Sequence, residues 1–118
     1  MSYDITFRVQ EKETNEWVDL LFDVANTTWN VTEMICKSTG LEWNNEEDNG
    51  YVKDIIPKIE KGRRELIEYP EKYRKYESPN GWGTIDGTIG FFSDIIKSYE
   101  ILCNDSPKLA EVAKFWII

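Results

Sequence analysis

The chain has 118 residues, 41% of them apolar and 14% aromatic. This is enough for one hydrophobic core and too much for a disordered segment. It carries a formal net charge of −8, two cysteines and no histidine. The missing imidazole excludes Ser-His and Cys-His nucleophilic pairs, His-based metal sites and the usual general base near neutral pH.

Tyr3, Ile5, Phe7 and Val9 alternate with Asp4, Thr6, Arg8 and Gln10, the period of a strand with one buried face. Val18, Leu20, Phe22 and Val24 repeat the pattern, and the polar stretch between them reads as a turn. Together they predict an antiparallel β-hairpin whose apolar face needs helices to cover it. Asn30-Val31-Thr32-Glu33 fits a capping box, with Trp29 and Met34 at the staple positions and Gly40 at a left-handed C-terminus. This predicts a short helix over 31–39.

Residues 42–50 read as an acidic loop. Asn45, Glu47, Asn49 and Gly50 match the first chelating positions of a calcium loop, but Ile56 stands where a bidentate Glu is needed, so no calcium is expected. Pro57 predicts a break, with a short turn before it and a helix over 57–68 that turns Ile59, Gly62 and Leu66 inward. Tyr69-Pro70 ends that helix, and a further helical turn carries Tyr73 and Tyr76. After the loop 77–83 comes the longest helix, Thr84 to Cys103, with Ile85, Ile89, Phe92, Ile96, Tyr99 and Cys103 on one face. Gly87 and Gly90 inside it imply a close crossing by another element. Ser106-Pro107 starts a last helix with Leu109, Val112 and Ala113 inward. The run Phe115 to Ile118 must be covered by the core, by a ligand or by a second copy of the chain. The fold class expected is α+β: a single compact domain over 1–118, with a β-hairpin over 1–25 packed against about four helices in a helical part over 30–118.

Charge is unevenly placed. Residues 1–48 hold 11 Asp/Glu against 3 Lys/Arg, the whole excess of −8, whereas residues 49–118 hold 11 of each. Residues 53–75 carry 8 of the 14 basic side chains. No apolar run is long enough for a membrane span and no signal peptide is visible, so a cytoplasmic protein with no membrane association is expected. Cys36 and Cys103 are too few for a disulfide framework and are expected to be reduced and buried. No Walker lysine or Gly-x-Gly-x-x-Gly fingerprint occurs, and 22 carboxylates single out no catalytic pair. No catalytic residue, cofactor or metal is therefore assigned.

The segment Asn80-Gly81-Trp82-Gly83-Thr84 is the leading candidate for a binding site. Its glycines let backbone approach a ligand, Trp82 offers a flat ring to stack on, and a helix entrance favours an anion. Arg63 and Arg64 lie upstream and add positive charge, and Trp29-Asn30 could pack on and read a ligand edge. The plainer alternatives are that Trp82 fills the core, that Trp29-Asn30 only caps a helix, and that the tyrosines form a half-buried face.

Ser2-Tyr3-Asp4-Ile5, Thr28-Trp29-Asn30-Val31 to Met34, Pro57-Lys58-Ile59-Glu60 and Asn80-Gly81-Trp82-Gly83-Thr84 together resemble a group of small tailed-phage and prophage proteins. The resemblance runs through most of the chain. Members of that group often have Tyr rather than Trp before the Asn. No agreed activity attaches to the group, so the resemblance transfers no catalytic residue. It implies an accessory protein made in the host cytoplasm to counter host defence or redirect host machinery. Three readings follow. The first is a non-catalytic protein that holds a small nucleotide-like or anionic ligand near the 80–84 turn. The second is an acidic inhibitor of a host defence protein that imitates nucleic acid charge. The third is a virion or assembly component that forms a homo-oligomer through its apolar C-terminus. Direct nucleic-acid binding is not expected.

Overall fold

The computed structural model describes residues 2–20 and 23–118. The alternation at the start of the chain produces β1 (Ser2–Gln10), which turns Tyr3, Ile5 and Phe7 into the core and Asp4, Arg8 and Gln10 away from it. The chain continues through β2 (Trp17–Asp19), β3 (Ala25–Thr28), α1 (Thr32–Thr39), β4 (Glu47–Tyr51) and α2 (Val52–Glu68). It ends with α3 (Pro70–Tyr73), α4 (Ile85–Asp105), α5 (Pro107–Val112) and β5 (Lys114–Ile117). The strands form one antiparallel sheet in the order β2-β1-β5-β4, and β3 pairs with the first half of β1. Ile5 lies opposite Ala25 on one side and Ile117 on the other, so β3 shares the edge that β2 occupies further along.

Helices cover one face of this sheet. α2 packs on α1 and α4, and α4 packs in turn on α5 and β3. Phe7, Phe115 and Ile117 from the sheet meet Met34, Ile35, Ile59, Leu66, Phe92 and Ile95 from the helices in a single core. The architecture is the expected α+β domain, a hairpin-bearing sheet packed against several helices.

Several local expectations are corrected. The part of the chain read as purely helical contributes two strands, β4 and β5, and β3 forms just before it. β3 and β4 are too polar to show a strand pattern, and they are extended because β1 and β5 offer them edges. The return strand of the hairpin stops at Asp19 and pairing resumes at Ala25; Leu21 and Phe22 lie outside the described residues.

Pro57 lies inside α2 without breaking it. Only the bond to the Lys53 carbonyl is forfeited, and the buried stripe Val52, Ile55, Ile56, Ile59, Gly62 and Leu66 runs through on the other side. The capping box at Asn30 does not form. A 3-10 turn over Trp29–Val31 comes first, capped by Thr28, whose Oγ1 accepts from the Asn30 amide, so Glu33 falls one position too early to reach back. Gly40 does take the left-handed C-terminal position at φ 77°, and its amide donates to the Cys36 carbonyl at 2.9 Å.

Gly90 meets nothing and Gly87 meets only its own cap, Thr84. The close crossing occurs instead at Gly62 of α2, against Thr39 and Phe92. In α5 the buried residues are Ala110 and the following Ala113, whereas Leu109 and Val112 are exposed. Ser106 supplies no side-chain cap, although Pro107 opens the helix as expected. Both cysteines are free and half-buried rather than buried.

Candidate functional site

The 80–84 turn is built by its own side chains. Asn80 Oδ1 accepts from the Trp82 amide at 2.9 Å and from the Ser78 hydroxyl at 2.6 Å. Thr84 caps α4: its Oγ1 accepts from the Gly87 amide at 3.0 Å. The Ile85 amide donates to Glu77 Oε2 at 2.9 Å. Gly83 has φ 95°, and a Cβ there would lie 2.8 Å from Val31 Cγ1 and 3.2 Å from Asn30 Cβ. A residue with a side chain fits neither that backbone nor that space. The turn therefore lies directly on the 28–31 segment, and Asn30 Nδ2 reaches the Trp82 carbonyl at 3.5 Å.

Between these two segments is a cleft of about 640 Å³. Ser2, Asn26, Thr27, Thr28, Asn30 and Val31 line one side, and Trp82, Gly83, Thr84, Gly87 and Thr88 line the other. Trp82 is 68% exposed, so it does not fill the core. Trp29 lies beside the cleft rather than in it. Its ring packs on Tyr3 at 5.8 Å and its Nε1 donates to the Ser2 carbonyl at 2.9 Å. That bond ties a lining residue to the 3-10 turn.

Of the residues singled out from the sequence, the structure brings Asn30, Trp82, Gly83 and Thr84 together in the cleft. Asn80 and Gly81 shape its rim. Arg63 and Arg64 are exposed on α2 and are not among the lining residues. Sequence reasoning missed Ser2, Asn26, Thr27, Thr28, Gly87 and Thr88. Gly87 and Thr88 follow from Thr84 by one helical turn. Thr27-Thr28 next to Trp29-Asn30 was a readable polar run, but only the pairing of β3 with β1 brings Asn26 and Ser2 to the same place.

The basic stretch upstream is neutralised in part, at three of its eight side chains. Lys53 pairs with Glu111, Lys72 with Glu65, and Arg74 with Glu71 and Glu77. A partly buried hydrogen bond from Tyr73 to Glu65 at 2.8 Å accompanies a phenol pushed up to about 12 by burial and then by that carboxylate. The acidic residues of 1–48 are spread over both edges of the sheet: Glu11, Glu13 and Glu16 lie at its β1–β2 end, and Glu46, Glu47 and Asp48 at its β4 edge. The strand registers place Asp4, Asp19 and Asp48 on its outer face, where Asp19 pairs with Arg8 and Asp48 with Lys114. A second cleft of about 680 Å³ carries Asp4, Asp19, Asp23 and Asp94 with Lys97, and none of the described residues lining it is aromatic. There the Arg8 guanidinium, 2.7 Å from Asp19, holds that carboxyl below its ordinary value. On the outer face of the sheet Arg8 also lies 4.8 Å from the Trp116 ring centre, with Trp17 edge-on to Trp116 at 5.4 Å.

Among the described residues no helix is long and apolar enough to cross a membrane. No group of three or more His, Cys, Asp or Glu among them could hold a metal ion. Fold and cleft together define a small α+β domain with one pocket that combines an exposed indole, amides and hydroxyls. Comparison with known protein families, characterised proteins and solved structures returns no match.

Proposed function

We propose that the chain is a non-catalytic phage or prophage accessory protein that holds a small nucleotide-like ligand in the cleft between the 28–31 segment and the 80–84 turn. The observation that carries this is the meeting of Asn30 with Trp82 across 52 residues of sequence, enforced by Gly83. An aromatic face beside an amide edge is the minimal equipment for recognising a flat, hydrogen-bonding ring. The cleft is of ordinary ligand size, between roughly 300 and 1,000 Å³.

The described lining residues offer hydroxyls and amides, groups suited to holding a ligand by hydrogen bonds, and no carboxylate or thiol. The acidic-inhibitor reading draws less support, because the carboxylates are spread over both edges of the sheet and two on its outer face, Asp19 and Asp48, are paired with Arg8 and Lys114. Assembly through the C-terminus draws less still. Phe115 and Ile117 are fully buried, in a strand flanked by β1 and β4.

The test is mass spectrometry of small molecules retained by the tagged chain in infected cells. A nucleotide-like compound held by the native chain and lost in Trp82→Ala is the expected result. Retention unaffected by Trp82→Ala, or recovery of a host protein alone, would defeat the reading.

A further inference from the structure

We infer that the cleft selects the neutral part of its ligand, a nucleobase with its sugar, and leaves any phosphate outside in water. This rests on the nucleotide-like reading above and adds which portion is recognised.

Three observations carry it. First, 31% of the chain is charged, yet none of the described residues lining this cleft is ionisable. A phosphate placed there would lose water and gain no cation from the described lining, a costly exchange. Second, at the entrance of α4, where a phosphate would otherwise be held by free amides, two of the amides are already taken. Glu77 Oε2 accepts from Ile85 N and Thr84 Oγ1 accepts from Gly87 N. The Glu77 carboxylate holds one oxygen on the Ile85 amide and the other 3.4 Å from Arg74, so the nearby guanidinium is already engaged. Third, the groups left over suit a base and a ribose. Thr84 and Thr28 accept backbone amides through their oxygens and keep their protons to donate. The bond from Asn30 Nδ2 to the Trp82 carbonyl is at the limit of hydrogen-bond length, so its amide can present donor and acceptor together to a base edge. The exposed Trp82 ring supplies the stacking face.

The experiment titrates the full chain with adenosine, guanosine, cytidine and uridine, each also as its 5′-monophosphate, and with inorganic phosphate. Calorimetry and tryptophan fluorescence follow binding, with Trp82→Ala as control. At least one nucleoside should bind as tightly as its monophosphate or tighter, and inorganic phosphate should neither bind nor compete. Glu77→Gln keeps an acceptor for the Ile85 amide and removes the charge. It should strengthen monophosphate binding roughly three- to tenfold while leaving the nucleoside unchanged. If a monophosphate binds more than tenfold tighter than its nucleoside, or phosphate competes, this inference fails and the cleft reading survives. If no nucleoside or nucleotide gives a Trp82-dependent signal, both fail. The ratio in the native chain decides the matter even where Glu77→Gln does not fold.

Discussion

Replacing Gly62 by Ala tests the helix packing that supports the cleft. Two opposing effects act at this position. In a helix interior Ala is favoured over Gly by about 1 kcal/mol. Against this, the new Cβ would lie 2.5 Å from Thr39 Cγ2, 3.1 Å from Phe92 Cε2 and 3.2 Å from Ser38 Oγ. Thr39 cannot swing its methyl aside cheaply. Its hydroxyl donates to the Ile35 carbonyl at 2.7 Å and accepts from the Leu41 amide at 3.1 Å, which fixes the rotamer. Phe92 is fully buried in the core, so its ring can yield only by shifting its neighbours. Overpacking of this kind costs about 1–3 kcal/mol, and the locked methyl places it at the upper end. The net expectation is a loss of about 2 kcal/mol.

Gly90 is the control. It is in a helix with nothing within 4 Å of a new Cβ, so Gly90→Ala should stabilise by about 0.5–1 kcal/mol. Thr39→Ser, which keeps the hydroxyl and deletes the methyl, should recover about 1 kcal/mol of the Gly62→Ala loss in a double-mutant cycle. Urea denaturation followed by far-UV circular dichroism measures all four proteins. Equal or raised stability in Gly62→Ala, or no coupling with Thr39→Ser, would refute the claimed approach of α1, α2 and α4.

Three further outcomes are expected. Gly83→Ala must force a side chain into a left-handed backbone and onto Val31, so it should cost about 1–3 kcal/mol and abolish ligand-dependent changes in tryptophan fluorescence; a normal response would show that the turn need not touch the 28–31 segment. The Tyr73 phenol is raised to about 12 in the folded chain against about 10 unfolded, so its contribution is complete below pH 10 and is lost as pH rises to 12. Tyr73→Phe should flatten the fall in stability between pH 10 and 12 by on the order of 1 kcal/mol, and an unchanged slope in denaturant titrations would count against the Glu65 pairing. Asp19 is lowered by its bond to Arg8, so its contribution is present above about pH 4 and lost as pH falls below that. The pair is partly exposed, so Asp19→Asn should change acid stability by well under 1 kcal/mol, and a larger effect would mean that the pair is less hydrated than the geometry shows.

The period-two pattern of residues 3–9, Gly40 and the Pro70 break were legible because each signal is local and strong. The longest helix was legible, but its core stripe was read off-centre: Ile85 and Phe92 are buried, Ile89, Ile96, Tyr99 and Cys103 only partly so, and Thr88, Phe91, Ile95 and Leu102 take the remaining core positions. β4 was not legible, since Glu47-Asp48-Asn49-Gly50 has no strand propensity and owes its conformation to β5. β5 itself offered a clue that went unread. Ala113, Phe115 and Ile117 alternate with Lys114 and Trp116, and all three are buried. The cleft was half legible. Trp82, Gly83 and Thr84 stand together in the sequence, and their chemistry could be named there. Their partner across the cleft depends on β3 joining β1, which no local pattern encodes. Arg63 and Arg64 were misleading because closeness along the chain to residue 80 says nothing about which face of α2 they occupy.

The pairing of β1 with β5 has a consequence for synthesis. The strand at the heart of the sheet waits for a partner more than a hundred residues later, with Ile5 set against Ile117. While the chain is being translated, one flank of β1 has nothing to bond to, and β4 has no neighbour at all. Closure is therefore a late and long-range event, of the kind that folds slowly and exposes open edges to other nascent copies. A ribosome stalled before residue 114 would carry a product able to form helices but unable to seal its sheet.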